Sequence, residues 1–535
     1  MRDASQSNQP PENYAPADEA TSEQEHTSGH VSNTPSTQNF DGHFPLSNSD
    51  FTSRFFGSSS VFVLTVQLSN RVLNDPTQFN PPDSPGLSFG FSEEGFNNPI
   101  TAAACRTSSP SREMLAALLG YYKSSLNTIY PFVDEATLQA DLEVYLEHQP
   151  LGGRLQGKAA YQYFRISMIC AIACANKSRH MRHLVASDDD FYAEGLKHVE
   201  SVTSEMSGDS LRALLLLIVY CLFHPRKGDI WKLLDYACRL SVELGYHTEL
   251  PMYDETSKDM SLRRSTFWSL YTLERIIGQI FGRPSDLPEQ IITTDYPGIL
   301  ATGSPTDQES VQVFSAAHHY RLVYLRSEIY REIYLSTTPL THDLEWFVGR
   351  YFALMSWYDA TLLGESLAGV GTSTCNVAFH STIVFLFQPL LLKALSEQHQ
   401  TGTEVTVLPS ENYRSACELI RTCEKIVRSP DDTALGIYPM TIMSAHYIYL
   451  AGLTIMSYVS ISIEGRIQIL GPLTQDALDR QLQPIDYSDI YRISGSCLVL
   501  LTWCANTWVG MSGMLGMYRK LSEKLLPLLA KADLS

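Results

Sequence analysis

The sequence lacks clustered cysteines, clustered cations and an apolar N-terminal stretch. Its ten cysteines are scattered through 535 residues, none forms a Cys-x-x-Cys pair, and none precedes Cys105. This spacing is typical of reduced thiols and argues against a disulfide framework. No run of Lys or Arg exceeds two residues, and the formal net charge is −19. We therefore expect an intracellular protein whose surface is mostly not a nucleic-acid interface.

Two long uncharged stretches, residues 366–392 and 441–463, exceed the roughly 20 residues that a membrane span requires. Both contain polar side chains, including Asn376, His380 and His446. A helix that faces lipid seldom carries so many polar groups, whereas a helix buried in protein can satisfy them with hydrogen bonds. The sequence therefore predicts two core helices and no membrane contact.

Residues 1–108 differ in composition from the rest of the chain. Ser, Asn, Thr, Gln and Pro dominate, and twelve acidic residues face four basic ones through Arg106. Such a segment buries too little apolar surface to offset its ordering entropy, so we predict a mostly disordered acidic arm. A patch over about 55–73 is aromatic and β-branched at its start. It is either a short ordered strap or a sticky stretch within the arm, and both alternatives remain open.

From Ser109 onward the hydrophobic residues recur with helical spacing, and strand alternation is essentially absent. Ser187, Ser210 and Asp229 are predicted to cap helix N-termini, and Gly245 to end a helix in the left-handed conformation. More than a dozen such segments predict an all-α fold over residues 109–535. We expect a large multi-helix array or fused helical bundles, preceded by the disordered arm.

Motifs for catalysis and metal binding are few. One string resembles a zinc site superficially: Cys170, Cys174, His180 and His183. Its central gap is far shorter than the loop that folds around zinc, so buried thiols and surface histidines are the favoured interpretation. The triplet Asp188 to Asp190 follows Ser187 and is interpreted as a helix cap, because no second magnesium-ligand motif accompanies it. We predict no catalytic and no metal-binding residues, and the DNA-contacting residues are unknown.

An ordered set of motifs occupies residues 229–297. Its members are Trp231, Gly245, His247, Arg263, Arg264, Phe267, Trp268, Gly282, Arg283 and Pro284. The flanks add Tyr130-Pro131-Phe132, the stretch Phe56-Gly57-Ser58-Ser59-Ser60, and a segment from His380 to Pro389. Together these motifs resemble the fungal-specific transcription factor domain, the middle homology region of fungal zinc-cluster transcription factors, including the xylanolytic-activator subgroup.

The motif residues also have physical interpretations of their own. Trp231, Phe267 and Trp268 are large apolar anchors that suit core packing, while glycine and proline at 245, 282 and 284 end helices. Arg263 and Arg264 are expected to pair with acids such as Glu243 or Asp259, or to contact another segment. We predict that the whole set is structural.

The sequence departs from the family pattern where the DNA-binding module would stand. That module is a six-cysteine zinc cluster with Cys-x-x-Cys pairs, and none is visible here. The cluster is either lost, in a regulator that acts through partners, or encoded upstream of this sequence. We expect no cofactor in this chain, and zinc only if such an upstream cluster exists.

The resemblance implies a nuclear transcription regulator whose helical domain responds to a small-molecule effector or a partner. The expected partners are the transcription machinery or another regulator, with homo- or heterodimerisation, and DNA contact that is indirect or made through a missing module. Two alternatives stay open. One is an all-α enzyme with a buried small-molecule pocket, and the other is a scaffold that heterodimerises with an intact zinc-cluster regulator.

Overall fold

A computed structural model describes fourteen segments of the chain. They are residues 43–45, 53–73, 110–148, 155–178, 181, 184–249, 258–297, 308–335, 342–363, 372–396, 407–429, 437–464, 468–476 and 481–532. All of them belong to one unit, Gly42–Ser535. Most of the predicted disordered arm, 1–108, lies outside the described residues.

Helices account for most of the described chain. In order they are α1 Val61–Leu73, α2 Arg112–Ser125, α3 Leu138–His148, α4 Gly157–Lys177, α5 Val185–Leu196, α6 Val199–Thr203, α7 Gly208–Phe223, α8 Ile230–Glu243, α9 Lys258–Phe281, α10 Gln308–Ile329, α11 Leu344–Leu363, α12 Thr372–Ser396, α13 Ser410–Arg428, α14 Ile442–Ile463, α15 Ile490–Thr507 and α16 Ser512–Ala532. A five-residue π-helix, Tyr330–Tyr334, continues α10. The prediction of an all-α fold is confirmed.

Strands are short and pair in twos within the described segments. Strand β1 (His43–Pro45) pairs antiparallel with β2 (Ser53–Phe55), with His43 opposite Phe55. Strand β3 (Val407–Pro409) pairs parallel with β4 (Gln468–Leu470), with Val407 opposite Gln468. Each strand has three residues, so neither pair forms a layer of the fold.

Helix starts follow local capping chemistry, though not always at the predicted residue. Asp229 caps α8 as predicted, and its carboxylate accepts from the N–H groups of Trp231 and Lys232. Helix α7 is capped by Ser207, whose hydroxyl accepts from the N–H of Ser210. Ser210 was therefore the wrong cap. A serine three residues earlier offers the same chemistry, and sequence spacing alone does not separate the two.

The core is one large hydrophobic cluster, with a smaller one beside it. The large cluster includes side chains from Phe56 to Leu529, and the smaller one joins the end of α10 to α11 and α12. Helix α14 runs through the large cluster and packs on α1, α7, α12, α13, α15 and α16. Every residue from Ile442 to Ile461 is buried.

Two described helices are long and apolar enough to cross a membrane, Ser373–Ser396 and Ile442–Ile463. Within the protein their most apolar windows are 67% and 100% buried, respectively. Both helices therefore bury most of their apolar surface against the rest of the protein, as expected of core elements.

The strap, defined here as residues 56–73, packs into the body of the protein. Its helix α1 lies against α12, α14 and α16, and Leu64 and Leu68 are fully buried. The strap precedes the predicted domain boundary at residue 109 and belongs to the same hydrophobic cluster as the helices that follow.

Candidate functional site

The turn after α9 is the place where the strap crosses the motif region. Gly282 has a φ of 72°, the left-handed conformation that commonly ends a helix. Gly57 lies against Gly282 so closely that a Cβ on either residue would overlap the backbone of the other. Two backbones can cross at this distance only because both residues are glycine. The Gly-Ser-Ser and Gly-Arg-Pro motifs, 220 or more residues apart, therefore meet in space.

Three hydrogen bonds hold the start of the strap at this crossing. The Gly57 N–H donates to the Phe281 carbonyl at 3.2 Å, and the Ser59 hydroxyl donates to the Gln279 carbonyl at 2.6 Å. The side-chain amide of Gln388, in α12, donates to the Ser59 carbonyl at 3.4 Å. The strap thus ties the end of α9 to α12.

Helix α1 of the strap makes further polar contacts with the body. The Thr65 hydroxyl donates to the Tyr449 hydroxyl at 3.2 Å. The Arg71 guanidinium donates to the Leu395 carbonyl at 2.8 Å and pairs with Glu464 at 2.5 Å. A cation among the last carbonyls of α12 complements the negative end of that helix.

A half-open cavity of about 360 Å³ lies beside the Gly282 turn. Its wall includes the half-buried Trp231, whose ring packs edge-on against Phe281 at 5.4 Å and under the Arg283 guanidinium at 4.0 Å. Burial, and then the nearby charge of Asp235, raise the pKa of Asp286. The full lining is Trp231, Lys232, Leu234, Asp235, Glu274, Gly278, Arg283, Pro284 and Asp286. The cavity combines an aromatic wall with both signs of charge.

The other motif group surrounds the end of α8. Gly245 has a φ of 68° and lies just beyond the last turn, as predicted from the sequence. The Arg263 guanidinium donates to the Leu244 carbonyl at 3.2 Å and to the Gly245 carbonyl, and it lies 4.2 Å above the Tyr246 ring. This cation complements the negative end of α8.

Arg264 is buried and pairs with Glu249, rather than with Glu243 or Asp259 as expected. The Glu249 carboxylate also accepts from the Asp295 N–H at 3.1 Å. Burial opposes ionisation, but the hydrogen bonds from Arg264 and Asp295 outweigh it and lower the pKa of Glu249. Glu249 precedes α9 in the sequence and Asp295 follows it. The Arg264–Glu249 ion pair therefore holds both of these flanking segments against α9.

The aromatic and histidine motif residues complete this packing. Phe267 is fully buried and Trp268 is nearly so, with their rings edge to face at 5.5 Å. The Trp268 indole N–H donates to the Asp295 carbonyl at 2.9 Å. The backbone carbonyl of His247 accepts from the Thr293 N–H at 2.9 Å. The ten motif residues thus form two separate groups, around the Gly245 and Gly282 turns.

The aspartate triplet does not act as a helix cap. Helix α5 begins at Val185, ahead of the predicted Ser187 cap. Asp188 is 1% exposed, and its carboxylate lies 2.7 Å from Nε2 of His224. The capping-box interpretation was therefore wrong, because Asp188 is buried against His224, the residue that follows α7.

The candidate zinc string is only partly visible. Cys170 and Cys174 are fully buried in α4, and burial raises the pKa of Cys174 to about 12 and that of Cys170 well above its ordinary value. His180 and His183 lie outside the described residues. Among the side chains that are described, no three His, Cys, Asp or Glu residues are grouped as metal ligands.

One feature of the buried polar groups was missed by sequence reasoning. The described chain buries four arginines: Arg165, Arg264, Arg275 and Arg326. The first pairs with Asp141, the second with Glu249, and the third with Glu274 at 2.6 Å and Glu289 at 3.0 Å. Arg326 instead donates to the neutral side chains of Gln279 at 2.8 Å and Thr382 at 3.3 Å. No signal in the sequence distinguishes this arginine from the other three.

One family model matches part of the chain. The model described as "Fungal specific transcription factor domain" matches residues 119–359. This match confirms the resemblance inferred from the motifs and contains all ten of the motif residues. The strap, and helices α12 to α16, lie outside it. No solved structure is significantly similar to this chain.

Several curated fungal proteins are similar in sequence. "Pyrimidine pathway regulatory protein 1" of Saccharomyces cerevisiae is 26% identical over 57% of this chain and 35% of its own length. "Protein STB5" of the same species is 24% identical over 47% of this chain and 35% of its own length. "Positive regulator of purine utilization" of Emericella nidulans is 25% identical over 29% of this chain and 19% of its own length. The matches thus span about a third of these proteins or less.

Proposed function

We propose that this chain, which carries a fungal specific transcription factor domain at residues 119–359, is the regulatory part of a transcription regulator that works in the nucleus. The observation that carries the proposal is that family match, which covers the two motif turns and the helices that support them. Similar fungal proteins bear the names of pathway regulators and transcription activators, which favours the same role here.

Regulation would act through the packing of the helices. We infer that an effector or a partner protein binds one arrangement of the helical body more tightly than another and so shifts the population between them. The strap is the element best suited to report such a shift. It joins α9 to α12 through a few hydrogen bonds at the glycine crossing.

The ten motif residues are proposed to be structural. Their contacts are helix ends, ring packing and one buried ion pair, all of which position α8 and α9. We assign no catalytic group to them. Contact with DNA would be indirect, or made through a zinc-cluster module on a longer form of the protein or on a dimer partner.

A reporter assay tests the proposed role. The full chain, fused to a heterologous DNA-binding domain and expressed in a fungal host, is expected to change transcription of a reporter several-fold and to be found in the nucleus. The unfused DNA-binding domain is the control. A fusion that is stable and nuclear, yet leaves the reporter unchanged across nutrient conditions, would contradict the proposal.

Metal analysis of the purified chain tests the cofactor assignment separately. We expect no stoichiometric zinc, since the sequence contains no Cys-x-x-Cys pair. One or two zinc ions per chain would show that scattered cysteines and histidines form a site after all.

A further inference from the structure

We propose that Arg326 binds a small oxyanion, a carboxylate or phosphate group, inside the helical body between α9, α10, α12 and α14. The site deepens the proposed regulatory function, since it names the chemical class of the effector. Arg326 differs in charge balance from every other buried arginine in the described segments, since each of the others pairs with a carboxylate.

Arg326 has no carboxylate partner among the described residues. It is 4% exposed, about as buried as Arg264 and Arg275. Those two arginines have three carboxylate partners in total: Glu249, Glu274 and Glu289. Burial lowers the pKa of Arg326, and within the described segments Tyr447 and Tyr334 favour its charged form. A guanidinium remains charged at any pH that proteins tolerate, so among the described residues this positive charge has no carboxylate to compensate it.

The hydrogen-bonding capacity of Arg326 is also incompletely used. A guanidinium has five N–H groups. In the described chain two nitrogens make one hydrogen bond each, Nε to Gln279 and Nη1 to Thr382, and Nη2 makes none. The remaining N–H groups are on Nη1 and Nη2, and neighbouring N–H groups of a guanidinium can bind a carboxylate or phosphate through two parallel hydrogen bonds.

The surroundings favour a compact anion over a larger charged group. The Phe385 ring lies 4.1 Å from the guanidinium carbon and the Tyr447 ring lies 5.9 Å from it. An anion of a few atoms would supply the counter-charge that the described residues do not provide.

Gln279 connects the site to the strap. Its side chain accepts from Arg326 while its backbone carbonyl accepts from Ser59, and the Ser59 carbonyl accepts from Gln388. An oxyanion on Nη1 and Nη2 would share the Arg326 guanidinium with Gln279, which accepts from Nε. Gln279 thus links the proposed site to Ser59 of the strap, close to the Gly57–Gly282 crossing.

Calorimetric titration of the full chain with sodium phosphate and with sodium malonate, at constant ionic strength set by sodium chloride, tests the proposal. We expect saturable binding of at least one anion, and a rise in the thermal unfolding midpoint on saturation. R326Q should weaken binding at least tenfold. R239Q makes the same change of charge at a side chain that is 76% exposed, and it should bind as the wild type does.

Q279E gives a second readout that does not depend on R326Q folding. It places a carboxylate 2.8 Å from Nε of Arg326 at nearly unchanged volume. We expect Q279E to raise the unfolding midpoint without added anion and to lose anion binding at least tenfold. No saturable binding by the wild type, or equal binding by all variants, would overturn the proposal. Because no transcription is measured, that outcome would leave the proposed regulatory role standing.

Discussion

At the scale of single residues, the close approach of Gly57 and Gly282 leaves no space for a Cβ atom on either residue. A side chain at either position would overlap backbone atoms, which have fewer ways to move than side chains. The two glycines therefore act as a pair, because each leaves no room for a side chain on the other.

Gly57→Ala is expected to lower the free energy of unfolding by about 1–3 kcal/mol, because the added methyl forces the strap away from Gly282. The shift of the urea midpoint measures this change. Gly120→Ala is the matched control, since that glycine lies in α2 with open space around its Cα. It should raise stability by up to about 1 kcal/mol through helix propensity. Equal effects of both changes would refute the close packing.

A buried histidine provides a test by pH. His446 is 2% exposed, and burial lowers its pKa to about 4. The unfolded chain, with a pKa near 6.5, binds more protons between those values, so stability should fall as pH drops from about 6.5 to 4. The loss attributable to His446 reaches about 3 kcal/mol at most. His446→Gln should be compared with the wild type by unfolding at pH 8 and pH 5. An identical pH dependence would contradict the prediction.

At the scale of elements, the strap is where the large hydrophobic cluster begins along the chain. Its aromatic and β-branched residues stood out from the polar arm, but two interpretations of them stayed open. In the structure, α1 is a helix whose apolar side contacts three later helices. Those partners are more than 300 residues away in the sequence, which is why local pattern did not distinguish between the alternatives.

Leu68→Ala is expected to destabilise the protein by about 2–5 kcal/mol, because Leu68 is fully buried in the main cluster. Asn70→Ala, on the exposed side of the same helix, should change stability little. Hydrogen exchange of α1 amides should accelerate in the first variant and not in the second. Unchanged exchange in both would mean that α1 is not anchored by this side chain.

Helix termini show how far local chemistry could be predicted. Asp229 and Gly245 were placed correctly, because a carboxylate cap and a left-handed glycine each act on their own helix. The predicted N-caps at Ser187 and Ser210 lie a few residues after the observed helix starts. In these cases the start was decided by a competing serine or by the burial of Asp188 against His224.

At the scale of the whole molecule, the region that matches the family model contributes only some of the side chains of the large hydrophobic cluster. Residues 119–359 lack the strap and the five helices α12 to α16, yet side chains from Phe56 to Leu529 belong to the same cluster. The indole N–H of Trp508, before α16, donates to the carbonyl of Phe223 in α7 at 2.9 Å. The two halves of the chain therefore complete each other's core.

A chain truncated after residue 359 is expected not to fold cooperatively. It would expose the surfaces of α1 and α7 that pack on α14. Circular dichroism melting and binding of a hydrophobic dye measure this, with the full chain as control. A sharp thermal transition without dye binding would show that the matched region is an independent domain.

Trp508→Phe is expected to lower stability by about 1–3 kcal/mol, because it removes the buried hydrogen bond from the indole N–H to the Phe223 carbonyl. Val509→Ala, at a residue 62% exposed, is the neighbouring control and should have little effect. Equal urea midpoints for the two variants would indicate that this link between the halves contributes nothing.

The sequence by itself determined the all-α class, the family resemblance and the burial of the two long apolar helices. Periodicity, helix ends and short ordered motifs are local properties that survive without knowledge of contacts. Only the tertiary structure decided that Gly57 meets Gly282, that Arg264 pairs with Glu249, and that no described carboxylate pairs with Arg326. Such pairings depend on which helices become neighbours, and that is set by the packing of the whole chain rather than by any segment of it.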